Sequence, residues 1–264
     1  MSAALGTACL VSALPAHAAS SPVAVPVAEA AGPVTVSDSC GVTQADLDAI
    51  QAIRSNPNLS YEAELQQELA VRKNLLNEIL TCAENQVVSL QAELATSSVS
   101  NAQASAIQSQ LGDSLNSASA YYELERGKLT GAGIYGTEQV AQEVLSWRAS
   151  VFAPLSDRVS NFALWAQNQP LFTAAAARMT QVGQVVSFLS SANSQDLAAA
   201  FATAQTSFVN AQNENAAALS ALGQSQATAQ VNLLIQQSLS SLAQTYQNLF
   251  AVSNIIQTLV PQSQ

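Results

Sequence analysis

Glu64, Glu68 and Arg72 lie four residues apart, so on a helix they stack one above the other along a single face. Two carboxylates in that register have the spacing for acid–base work. The guanidinium one turn further on makes a solvated ladder of charge the expected reading. The other close acid pairs, Glu123 with Glu125 and Glu138 with Glu143, lack the three- or four-residue spacing that sets two carboxylates on one face. Arg148, Arg158 and Arg178 fall among aromatic residues. They are expected to stack on rings or to pair with Glu143 and Asp157, with an anionic ligand site among them as the alternative.

The only histidine is His17, in a stretch that reads as an export leader. A mature chain without imidazole has no Ser-His-Asp or Cys-His arrangement and lacks the usual general base at neutral pH. The Glu-x-x-His pairs of a di-metal helical bundle are absent as well. No catalytic, cofactor-binding or metal-ligating residue is assigned, and an enzyme is not expected. Removing the leader discards Cys9 and leaves Cys40 and Cys82. In an oxidising compartment that pair reads as a disulfide, worth about 4 kcal/mol through the loop it closes. The glycine cluster at 127–136 does not match a phosphate-binding loop, since Lys128 is not followed by Ser or Thr. It reads as a mobile connection.

The elements that must carry these residues can be read from pattern. Residues 1–18 are small and apolar, broken by Pro15 and closed by the small-x-small site Ala16-His17-Ala18, so they are expected to be a signal peptide. Pro22, Pro26 and Pro33 among Ala, Val and Ser make 19–39 an expected disordered linker. In 40–126, Thr43 with Asp46 caps a short helix that Asn56-Pro57-Asn58 ends. Ser60 then opens a long helix with leucines at mixed spacings of three and four. Asn101 or Ser100 caps the next, which is expected to lie antiparallel to it.

Residues 137–261 hold both tryptophans in a chain only 5% aromatic. Large rings remove the most apolar area from water, so Trp147, Phe152, Phe162, Trp165, Phe172 and Phe188 are assigned to the core together with Phe201 and Phe208. Thr137 with Glu138 is expected to open this segment, on a face running Val140, Val144, Trp147, Val151, Leu155, Val159 and Phe162. Pro154 marks a kink or a new start. Pro170 marks a true turn or sharp bend, with Trp165 and Phe172 meeting beneath it. Leu197, Phe201, Ala204, Phe208, Ala211, Asn215, Ala218 and Leu222 recur as a heptad seam, in which Asn215 is a candidate for fixing register. Gly223 is the expected C-cap.

The expected fold is therefore all-α: an elongated bundle of about six or seven long antiparallel helices with a coiled-coil-like seam, preceded by a signal peptide and a disordered linker. Only 10% of the 264 residues are charged, against about a quarter in ordinary domains, so the surface is polar but sparsely ionised. Eighteen acidic residues against eight basic give a net charge of −10, which excludes nucleic acid as a partner and disfavours anionic lipid. The composition and leader point to a secreted, periplasmic or surface-located structural or protein-interaction protein, with an unidentified protein or envelope partner. A membrane-active helical protein is the alternative, motivated by a mean hydropathy of +0.17. Against it, no mature segment reaches the roughly 18 consecutive apolar residues of a membrane span.

Overall fold

Short polar side chains decide where the helices begin. The Thr43 hydroxyl accepts from the Asp46 amide and the Asp46 carboxylate accepts from the Thr43 amide, a closed capping box that starts α1, Gln44–Arg54. Ser60 and Asn101 each accept from an amide three residues on, starting α2, Tyr61–Thr96, and α3, Ala102–Gly131. Further along lie α4, Ile134–Trp147, a π-helical turn at Arg148–Phe152, α5, Ala153–Ser190, α6, Gln195–Gly223, and α7, Thr228–Leu259. The computed structural model describes residues 40–190 and 195–259, which fall in one compact unit and contain no strand. The expected leader (1–18) and linker (19–39) lie outside the described residues.

Helices α2 and α3 are antiparallel. Gln91 bonds Asn116 near their shared turn, and Lys73 reaches the Thr130 carbonyl at the other end. The glycine cluster is not a loop: α3 continues to Gly131 and α4 begins at Ile134, leaving two residues to turn. Neighbouring packing outweighs the weak helix propensity of glycine here. Thr137 does not open α4 either. It lies buried within the helix, where its hydroxyl donates to the Ile134 carbonyl.

From Ile134 to Ser190 the helix does not break, although two prolines lie within it. At Pro154 the strain is met by the π turn, where the Ala153 amide bonds back five residues to the Arg148 carbonyl. That turn inserts one extra residue, so the inward position expected of Val151 passes to Phe152; Val151 is 45% exposed and Phe152 only 2%. At Pro170 the expected turn is absent and α5 continues through it as one helix. A proline inside a helix costs about 3 kcal/mol. Burial on both sides offsets it, because Trp165 and Ala166 are anchored in one core and Phe172 and Ala175 in a second. Trp165 and Phe172 thus belong to different cores, and the ring beside Trp165 is Phe162, 6.0 Å away between centroids.

The first core joins α2, α3, α4 and the front of α5 with the end of α6 and the start of α7, so it draws on both 40–126 and 137–261. The second joins the rear of α5, the front of α6 and the rear of α7. Phe152, Phe162, Trp165, Phe172 and Phe208 are buried, while Trp147 and Phe201 are half-buried. Phe188 is not a core residue: it is 80% exposed, because Val186 holds the inward position and two residues of helix rotate Phe188 to the far side.

The seam positions Leu197, Ala204, Phe208, Ala211, Ala218 and Leu222 are buried on α6. Gly223 ends α6 without being its left-handed cap. That conformation falls to Ser225, with φ of 55°, and a Cβ on Gly223 would come within 3.4 Å of Ile107. That is ordinary van der Waals contact with α3, so the packing there does not demand glycine. The turn is secured from α5, where Arg158 donates to the Leu222 carbonyl and Asn161 to the Thr228 carbonyl.

Candidate functional site

Helix α1 has an apolar face but no fully buried residue, so packing alone holds it weakly. It is tied to α2 at both ends. The Cys40–Cys82 disulfide, with Cα atoms 5.6 Å apart, fixes the entry to α1. Arg54, at the other end, lays its guanidinium on Glu68, with Nε to Oε2 at 2.9 Å and Nη2 to Oε1 at 2.7 Å. Those two ties make α1 antiparallel to α2. Arg72 adds a bond from Nε to the same carboxylate at 2.8 Å.

Glu68 is therefore not part of a solvated ladder. It is 4% exposed, and the hydrogen bond from Arg54, helped by Arg72, holds its carboxyl below the usual glutamate range despite the opposing effect of burial. The signal missing from the sequence is Arg54, fourteen residues away. Only the chain reversal at Asn56-Pro57-Asn58 brings it back onto α2.

Helix α4 lies on the other side of α2. Arg148, at its end, bonds Gln86 through Nη2 at 3.0 Å and the Tyr122 hydroxyl through Nη1 at 3.3 Å, and sits over the Phe152 ring at 5.3 Å. Between α1 and α4, with α2 as its floor, runs a groove of about 680 Å³. Val42, Leu47, Ile50, Leu75, Ile79 and Leu145 supply its apolar walls. Arg54 and Arg72 flank one end, and Arg148 stands towards the disulfide end. The volume is that of a small-molecule site, and a mostly apolar lining with a few charged groups is the usual composition of one.

A second cluster clasps α3 to α4. Lys128 bonds Glu125 at 2.8 Å and Glu143 at 2.7 Å, so the ammonium joins two carboxylates that sequence spacing kept apart. Bonds from Lys128 and Gln139 hold the Glu143 carboxyl low, and those to Glu125 and Glu143 raise the Lys128 ammonium. Tyr121 stacks on Trp147 at 4.1 Å, and burial, with Glu125 nearby, pushes its hydroxyl up to about 12. Glu143 therefore pairs with Lys128 and not with the arginines of the central segment, while Asp157 accepts from the Thr228 hydroxyl. Burial lowers the Arg158 guanidinium.

Asn215 marks a third polar point, between the two cores. Its amide and that of Gln169 exchange hydrogen bonds at 3.2 Å, and its backbone carbonyl accepts from Trp165 Nε1 at 3.2 Å. α6 is thereby bolted to α5 beside Pro170. Among the described residues no group of three or more His, Cys, Asp or Glu has metal-binding geometry. No helix among them is long and apolar enough to cross a membrane. No known family, curated protein or solved structure matches the chain.

Proposed function

We propose that the chain is exported and works as a non-enzymatic interaction protein of a bacterial envelope or extracellular space, holding or presenting a surface to another macromolecule. The observation that carries this reading is the Cys40–Cys82 disulfide clasping α1 over the groove. A bond of that kind persists in oxidising compartments and is rare where thiols are kept reduced. The ionisable side chains join helices: Glu68 ties α1 to α2, Glu84 with Arg126 ties α2 to α3, and Lys128 ties α3 to α4. On this reading the α6 face is a coiled-coil-like seam, and Asn215 fixes its register against α5.

Cell fractionation combined with thiol alkylation and mass spectrometry of the chain tests the proposal. The expected result is a leaderless protein outside the cytosol with Cys40 and Cys82 joined, which captures a macromolecular partner from envelope or medium. A leader-bearing chain in the cytosol with both thiols alkylated would overturn it.

A further inference from the structure

Beyond Pro170, α5 carries two rows of side chains at alternating spacings of three and four. The inward row, Phe172, Ala175, Met179, Val182 and Val186, is buried in the second core. The outward row is Leu171, Ala174, Arg178, Gln181, Val185 and Phe188, and every member of it is exposed. This is the heptad spacing by which one helix seats another, sustained over about 26 Å at the helical rise. Three of its six side chains are large and apolar, and no described helix covers them. Arg178 makes no hydrogen bond or ion pair among the described contacts, so its guanidinium is open to a second molecule. α5 has no acid after Asp157 and α7 has none at all, so this is a face on which two copies of a chain with net charge −10 can approach without setting acid against acid.

We infer that the chain pairs with a second copy of itself through this row, the two α5 helices lying antiparallel about a two-fold axis. The order of the row selects that partner, because it complements its own reverse. In an antiparallel pair the first heptad position of one helix meets the fourth of the other. Leu171 then faces the partner's Phe188, Ala174 faces the partner's Val185, and Arg178 faces the partner's Gln181, whose carboxamide oxygen accepts from the guanidinium. Symmetry repeats each contact, so the four outer layers are apolar on both sides and the two central ones polar on both sides. A slip of one heptad would set Arg178 against Phe188 or Ala174, and parallel pairing would set guanidinium against guanidinium. So short a row makes an interface at the small end of the stable range, and the pair is expected to be reversible.

The test is sedimentation equilibrium of the full, oxidised chain over rising concentration, with a reversible monomer–dimer equilibrium as the expected result. Gln181→Arg sets guanidinium against guanidinium in both central layers and should weaken dimerisation about tenfold or more. The position is exposed, so the helical circular dichroism and the melting midpoint of the monomer should stay unchanged. Geometry is read by cross-linking. An equal mixture of A174C and V185C chains should form a disulfide between residues 174 and 185 on oxidation, while A174C alone should not join itself. A chain that stays monomeric at every concentration, a folded Q181R that dimerises as before, or A174C joined to A174C would each overturn the inference. Export is decided separately by fractionation, so a monomer found outside the cytosol would refute this pairing and leave that reading intact.

Discussion

Replacing Cys40 and Cys82 together with serine removes the bond that fixes α1. The two residues are 42 apart in sequence, and a loop of that length stabilises the folded chain by about 4 kcal/mol through the lost freedom of the unfolded one. For a unit of this size each kcal/mol moves the melting midpoint by about 2–4 °C, so the double variant should melt about 8–16 °C lower. The loss should also be uneven. No residue of α1 is fully buried, and the Arg54 side chain that holds its other end is 54% exposed. With the bond cut, amide hydrogen exchange over 44–54 should become fast while α2, α3 and α5 stay protected. Calorimetry gives the first number and exchange mass spectrometry the second. A midpoint within about 2 °C of the unmodified chain, with α1 still protected, would refute the idea that the staple holds this helix.

Two of the buried rings of the first core offer a sharper test of burial. Phe162→Ala or Trp165→Ala should cost about 3–5 kcal/mol in denaturant unfolding, and a loss below about 1 kcal/mol would place those rings outside the core. Acid should loosen α1 first. The Glu68 carboxyl is held below its ordinary 4.5 in the folded chain, so the unfolded chain binds more protons as pH falls past that value. Its contribution is complete above pH 4.5 and is lost below it, and exchange over 44–54 measured against pH should show that order; Glu68→Gln should flatten the profile. Ser225 occupies the left-handed region at φ 55°, which costs a non-glycine residue about 1–2 kcal/mol. Ser225→Gly should therefore raise stability by up to about 1 kcal/mol, and a fall would mean that the serine side chain holds the turn.

Some of this was written along the chain. Thr43 with Asp46, Ser60 and Asn101 mark helix starts because a cap is a bond between neighbours, readable without knowing what lies across the molecule. The apolar stripes of α2, α3, α5 and α6 are likewise local, and they give an all-helical protein with Phe162, Trp165 and Phe208 inward. Local rules mislead where a distant contact outweighs them. Pro170 ends a helix by its own chemistry, yet α5 passes through it because two cores hold both flanks. Gly127 and Gly131 favour a loop, yet α3 absorbs them. The π turn escapes any fixed period, and with it the exchange of Val151 for Phe152.

The candidate groove is the part least visible in advance. Arg54, Glu68 and Arg72 become one cluster only after the chain reverses at Asn56-Pro57-Asn58, and Arg148 joins the same cavity from a helix that arrives later. Glu125 and Glu143 meet on one ammonium although neither shares a helical face with the other. Sequence determined which segments coil and where α1, α2 and α3 are capped, because periodicity and capping are properties of the chain itself. Tertiary structure decided which charges meet, where prolines are tolerated and where a cavity opens, because those depend on helices crossing at positions that no neighbouring residue encodes.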